Sequence, residues 1–237
     1  MSYIEQAFLM MFNYCKDVMF MMISIILSLF IMKDNENAVD LSKESKNNKA
    51  LIILGPSAVG KDTMINCLKN KYPKLIYKLP SYTTRERRVG EIEGIDYYFV
   101  TKEEFLKMKE EGILFGIQEY NNNFYASNIN KLREALEDNT KLVVLNYNIE
   151  TVESIKDKSE FNIVAILPPS EAALRARLIQ RNTNPSEIEK RMDKSIKEIQ
   201  LIAEANYITY RLVNDDKDKA YNMLEQHLKE LYPRLFL

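Results

Sequence analysis

The stretch that most constrains this chain is Leu51-Ile52-Ile53-Leu54 running straight into Gly55-Pro56-Ser57-Ala58-Val59-Gly60-Lys61-Asp62-Thr63. Four consecutive apolar residues suit a strand buried on both faces, as in a parallel sheet covered by helices. Beyond the lysine, Met64, Ile65 and Leu68 fall on one face of a helix. Strand, glycine-bounded loop, lysine and helix is the context a phosphate-binding loop requires. Backbone N–H groups curl around the phosphates at the helix N-terminus, and Lys61 would bridge the β- and γ-phosphates. An ordinary strand-to-helix turn would not need both glycines and the lysine at this spacing.

The residue after the lysine departs from the usual pattern. A Ser or Thr there offers its hydroxyl to Mg²⁺, whereas this chain has Asp62, with Thr63 one residue later. A carboxylate beside polyphosphate is repelled unless a cation lies between them. Two readings stand: Asp62 is a solvent-facing first-turn residue favoured by the helix dipole, or Asp62 and Thr63 contribute to the metal or its waters.

Strand-like segments at 51–54, 75–79, 142–147, 162–167 and 207–213 alternate with helical ones, which implies an α/β fold with a parallel sheet flanked by helices. The charge balance, 33 Lys+Arg against 34 Asp+Glu, argues against a protein built to grip a nucleic-acid backbone. Cys15 and Cys67 cannot make a disulfide framework, and the single His227 leaves no His/Cys cluster for zinc.

Residues 1–46 have a different character. Seven of the eleven methionines fall within the first 32 residues, and Val18–Met32 carries no charge. As a helix this run covers about 23 Å, short of the roughly 30 Å hydrocarbon core of a bilayer. No basic n-region or A-x-A cleavage pattern accompanies it, and one Lys and one Asp on each flank give no orientation. A membrane anchor through residues 18–32, an upstream stretch that is cleaved or untranslated, and a soluble helix packed on the domain are the three readings. A polar linker follows, and the main domain is expected over 47–237.

A second basic cluster lies in Ser81-Tyr82-Thr83-Thr84-Arg85-Glu86-Arg87-Arg88-Val89-Gly90-Glu91, continuing to Asp96-Tyr97-Tyr98-Phe99. Three arginines within four residues, beside hydroxyls and tyrosines, can hold a phosphate through forked, charge-assisted bonds. Alone, such a cluster is more often a solvated face; with a phosphate loop some 25 residues upstream, a second phosphate site is the better account.

The S-x-T-T-R-x-x-R-x-x-E-x-x-G-x-D-Y-x-F segment closely resembles that of guanylate kinases, P-loop enzymes that move a phosphoryl group from ATP to GMP. The likeness extends from Ala50 to near Lys229 and includes Pro168-Pro169-Ser170, the stretch Arg177 to Thr183 with Arg191 beyond it, and Val213-Asn214-Asp215-Asp216. The resemblance implies a P-loop NTPase-type sheet with an acceptor-binding insertion at roughly 80–130 and a helical lid at roughly 172–195. It implies that Arg85, Arg88, Tyr97 and Tyr125 hold the acceptor phosphate, with Ser127 beside them. Glu91 would orient the arginines, and Ser81 would touch the base. Residues Gly55 to Thr63 and Asn214 would bind ATP, and Arg181 would also lie near the adenine. Lys61, Arg85, Arg88, Arg177, Arg181 and Arg191 would stabilise the transferring charge, with Mg²⁺ as cofactor. ATP and GMP would be the only partners, with no nucleic acid or protein partner. The catalytic domain would be cytoplasmic, membrane-tethered if the leader is an anchor.

The chain also departs from the family. In a gapless register through Phe115–Ser127, Gly116 stands where the family carries the glutamate that pairs with guanine, and Glu119 falls on a less discriminating acidic position. Asn146 and Asn148 replace two aspartates, one near the metal's water shell and one near the guanine edge. A carboxylate accepts two N–H bonds, whereas Gly accepts none and Asn only through one oxygen. Three explanations follow: Glu119 replaces the missing carboxylate; the acceptor differs, as in the related ribose 1,5-bisphosphate kinases; or the domain is a binding module with little turnover. Asp62 adds a carboxylate at the loop where Asn146 removes one from the strand, so the metal's acidic partner is expected to have moved from strand to loop.

Overall fold

In a computed structural model of the chain, the described residues are 50–236, apart from 121, 139, 156, 157, 159, 160, 182 and 183. The expectations for the leader at 1–46 lie outside them. Among the described residues, no helix is long and apolar enough to cross a membrane.

The chain runs β1 (Ala50–Leu54), α1 (Lys61–Lys71), β2 (Ile76–Lys78), β3 (Ser81–Thr83), β4 (Tyr97–Phe99), α2 (Lys102–Glu110), β5 (Leu114–Tyr120) and β6 (Asn123–Asn128). It continues with α3 (Ile129–Glu137), β7 (Leu142–Tyr147), α4 (Ile149–Glu153), β8 (Asn162–Leu167), α5 (Glu171–Gln180), α6 (Pro185–Glu204), β9 (Tyr210–Val213) and α7 (Lys217–Leu231). Five strands form one sheet in the order β2-β7-β1-β8-β9. Every pairing in it is parallel, with Ile52 opposite Leu145 on one side and Ile163 on the other.

The continuous apolar run of β1 has the explanation its sequence suggests. Its residues are fully buried and alternate between two cores. Ile52 and Leu54 join Leu132, Val152 and Ile202 on one face. Leu51 and Ile53 join Met64, Ile65, Leu68, Leu224 and Leu228 on the other. Each such side chain contributes about 1.5–3 kcal/mol through burial, so the strand that feeds the loop is firmly held, as are its neighbours β7 and β8.

Between Ser81 and Asn128 the chain leaves this sheet and builds a second one, of four strands in the order β4-β3-β6-β5. The β5–β6 and β3–β6 pairings are antiparallel and β3–β4 is parallel. This sheet occupies the expected insertion, but its strands are too short and irregular to show a period in the sequence. Helix α2 covers it, held at its start by a capping box between Thr101 and Glu104. Phe105 of α2 packs with Leu114 and Ala126 in a small separate core.

Helices α5 and α6 occupy the expected lid segment. Their contact faces, Leu174, Leu178, Ile188 and Met192, enclose the methyl of Ala58. These two helices are thus packed directly on the loop after β1.

Candidate active site

The parallel sheet points its carboxyl ends at one cleft, where ligands of open α/β sheets bind. The loop after β1 turns there through three residues with positive φ: Gly55 at 147°, Ala58 at 62° and Gly60 at 107°. A Cβ at Gly55 would lie 2.2 Å from the carbonyl oxygen of Ile166, so only glycine lets the loop leave the sheet this closely. Ala58 lacks that freedom, and its left-handed conformation is held by the lid cluster around its methyl. Lys61 folds back over the loop, its Nζ donating to the carbonyls of Gly55 at 2.5 Å and Pro56 at 3.1 Å. Burial draws the Lys61 ammonium below its ordinary pKa, opposed by the carboxylates of Asp62 and Glu198.

Two expected residues brace the loop from behind. Asn214, buried after β9, donates from Nδ2 to the Val59 carbonyl at 2.7 Å. Arg177 donates to the Asn214 carbonyl at 2.6 Å and to Val59 at 3.4 Å. In this arrangement Arg177 fixes loop backbone and does not border the cleft, so the expectation that it meets the transferring phosphate is not met here. The Asn214 Oδ1 is buried without a hydrogen-bond partner.

Asp62 is exposed, with 62% of its side chain accessible. Its Oδ1 accepts from Asn146 Nδ2 at 2.9 Å and lies 3.4 Å from Lys78 Nζ. The two positions that exchange carboxylate for amide in the sequence are therefore in direct contact. Thr63 lies on the exposed side of α1 and does not border the cleft, unlike the expectation that it helps hold the metal. Among the described residues, no group of three or more His, Cys, Asp or Glu could hold a metal unaided. One carboxylate at a phosphate loop nonetheless fits Mg²⁺, which takes one or two carboxylates with substrate phosphates and waters.

On the insertion, Arg85 and Glu91 form an ion pair at 2.7 Å. Glu91 also accepts the backbone N–H of Arg88 at 2.8 Å. The Arg85 bond holds the Glu91 carboxyl below the usual range, although burial pushes the other way. Arg85, Arg88 and Glu91 all lie outside the cleft wall, the Arg85–Glu91 pair standing behind Tyr97 and the Arg88 side chain staying exposed. The Arg85 guanidinium lies 5.4 Å from the centre of the Tyr97 ring, and Tyr97 meets Tyr125 edge-on at 6.0 Å. Burial pushes the Tyr97 hydroxyl up to about 12, so it is a neutral hydrogen-bonding group.

The cleft has a volume of about 310 Å³. Lys61, Asp62 and the loop residues Gly55, Ser57 and Ala58 line one end. Ser81, Tyr97, Tyr125 and Ser127 come from the insertion, and Arg181 and Arg191 from the lid. Arg191 is paired along its helix with Glu187 at 2.5 Å. Pro56, Val59 and Gly60 shape the loop without lining the cleft.

Sequence reasoning missed Lys78, Gln118 and Glu198, which also line the cleft. Lys78 ends β2, and the rule that ligands gather beyond the carboxyl ends of parallel strands was the available signal. Glu198 is 6% exposed, and burial pushes its carboxyl up. An acid on the buried stripe of an otherwise amphipathic helix was its only trace.

The expected base-reading positions are rearranged. Gly116 has φ +61°, at an irregularity where the β5–β6 register shifts between Phe115 and Gln118. Asn148 is not free to read a base through its oxygen, because Oδ1 caps α4 by accepting the Thr151 N–H at 2.8 Å. Glu119 borders the cleft at an exposed position.

The family model for guanylate kinase matches residues 47–231. The chain belongs to the guanylate kinase family. It is 37% identical over 180 residues to the guanylate kinase of Schizosaccharomyces pombe, covering 75% of this chain and 88% of that protein. It is 33% identical over 200 residues to that of Protochlamydia amoebophila, covering 82% and 97%. The crystal structure of guanylate kinase from Anaplasma phagocytophilum is similar in fold, with a TM-score of 0.57 and 25% identity over 76% of this chain and 85% of that one.

Proposed function

We infer that the protein is a guanylate kinase, transferring the γ-phosphoryl group of ATP to GMP to give ADP and GDP. The observation that supports this reading is that two groups suited to hold phosphate face one cleft: the Lys61 loop on one side, and Tyr97 and Tyr125, backed by the Arg85–Glu91 pair, on the other. Phosphoryl transfer needs alignment and charge neutralisation more than covalent help. Lys61 would meet the β- and γ-phosphates, Arg181 and Arg191 would approach from the lid, and Arg85 and the tyrosines would hold the acceptor phosphate. No general base is needed, since the attacking phosphate oxygen is already an anion at neutral pH. Water is the competing acceptor, and lid helices packed on the loop through Ala58 are suited to exclude it.

When bound, Mg²⁺ neutralises phosphate charge and orients the γ-phosphoryl group. Asp62 is the carboxylate suited to meet that ion or its waters, and the bond from Asn146 supports the migration of this role from strand to loop. ATP and GMP as substrates support a cytoplasmic catalytic domain.

A coupled ADP-release assay of the full chain against GMP, dGMP, AMP, UMP and ribose 1,5-bisphosphate tests the reading. Turnover with GMP well above the other acceptors is expected. Turnover only with the sugar phosphate, or nucleotide binding with no turnover, would overturn it.

A further inference from the structure

A chain of side-chain hydrogen bonds runs from the first turn of α4 to the cleft wall on β5. The Thr151 N–H donates to Asn148 Oδ1 at 2.8 Å. A backbone N–H can only donate, so this bond decides which end of the Asn148 carboxamide faces Thr151. Thr151 Oγ1 lies 2.7 Å from the same oxygen, so its hydroxyl must supply the proton of that second bond. With its proton committed, Thr151 Oγ1 can only accept, and its partner is Gln118 Nε2. Thr151 is 4% exposed, so water has little access with which to rearrange this relay. The end of Gln118 left for the cleft is its carbonyl oxygen.

The same threonine governs position 116. A Cβ built on Gly116 would stand 2.6 Å from Thr151 Cγ2, at a φ of +61° that side chains rarely adopt. Thr151 therefore anchors an acceptor at 118 and forbids a side chain at 116. The wall has room for a base-reading group at one of these positions, not both.

We propose that Gln118 reads the base of the acceptor nucleotide through Oε1, held as an acceptor by the Asn148–Thr151 relay. This rests on GMP being the acceptor. Guanine presents an N1–H donor on its pairing edge, whereas adenine presents a bare N1 lone pair that a fixed carbonyl repels. A carbonyl that could turn over would offer its NH₂ to adenine instead, so the relay, and not Gln118 alone, sets the discrimination. Gln118 is the specificity residue; Thr151 and Asn148 position it.

The test is kcat/KM for GMP and for AMP in the full chain, with thermal melting to confirm folding. Gln118→Ala is expected to lower the GMP:AMP preference roughly 10- to 100-fold while the KM for ATP stays near that of the unaltered protein. Thr151→Val, which removes the hydroxyl and keeps the shape, is expected to lower the preference as well, and Thr151→Ser to retain it. A preference that survives Gln118→Ala, or one lost in Glu119→Gln instead, overturns the assignment while leaving the GMP reading intact. No GMP binding to the unaltered chain by titration calorimetry would overturn the GMP reading itself, and this inference with it.

Discussion

Gly60→Ala examines how tightly the phosphate loop depends on what lies behind it. Gly60 has φ 107° and ψ 12° at the start of α1, a conformation that costs an L-residue about 1–2 kcal/mol. The added Cβ would stand 2.6 Å from Asn214 Nδ2. That amide can escape only by giving up its 2.7 Å bond to the Val59 carbonyl, whose other side-chain contact, from Arg177, is long at 3.4 Å. Losing a bond between buried groups costs about 1–3 kcal/mol. The sum is about 2–5 kcal/mol, a large part of the stability of a domain this size. Equilibrium urea unfolding followed by far-UV circular dichroism measures it, and a double-mutant cycle separates the two contributions. In an Asn214→Ala background the collision and the bond are both gone, so Gly60→Ala should then cost only the backbone share. The expected coupling is about 1–3 kcal/mol. An equal cost in both backgrounds would refute the collision argument, and a cost below about 0.5 kcal/mol in both would refute the conformational one as well.

Glu91→Gln should raise the KM for GMP about 5- to 10-fold with little change in kcat, since it removes a charged bond of about 1 kcal/mol after allowance for partial exposure. Because Arg85 depresses the Glu91 pKa, the contribution of the pair is complete above the ordinary carboxylate range and is lost only as pH falls through the lowered value. The KM for GMP of the unaltered protein should accordingly be insensitive to this group from pH 6 to 8, which a steady-state pH series would show. His227 stacks on Tyr210 at 4.0 Å with its Nε2 buried and unpartnered, and burial pulls its pKa down. The unfolded chain therefore takes up a proton as pH falls through about 6.5 while the folded one resists, so stability declines there. His227→Phe should flatten that decline in melting temperatures measured between pH 5 and 7.5. Asp62→Asn should raise several-fold the Mg²⁺ concentration for half-maximal turnover and weaken Mn²⁺ binding to the nucleotide complex, read by electron paramagnetic resonance. Unchanged values for both would dismiss the migrated carboxylate.

Much of this molecule was legible along the chain because its signals are local. The apolar run of β1, the two loop glycines and Lys61 define a buried strand, a tight turn and a helix N-terminus within about a dozen residues, and each acts on its immediate neighbours. The five parallel strands fall where the sequence implies, with ends trimmed by one to three residues at 75–79 and 207–213. The second sheet was not legible. Its three-residue strands β3 and β4 are too short to show a period, and β3 pairs with residues far along the chain, Ser81 with Tyr97 and Tyr82 with Ala126.

The sequence by itself determined a parallel α/β sheet, a glycine-bounded loop ending in Lys61, and an arginine-rich segment carrying the family pattern. Only the tertiary structure decided how those parts are used. It turned Arg177 inward to hold loop carbonyls and brought Asp62 against Asn146, residues 84 positions apart in the chain. It joined Gln118 to Thr151 across 33 positions, and set the methyl of that threonine where a side chain at 116 would stand. The physical reason is that a hydrogen-bond direction or a collision depends on distances of tenths of an ångström between remote side chains. Residue types and spacing fix which groups are present, and packing fixes which of them are left free to meet a substrate.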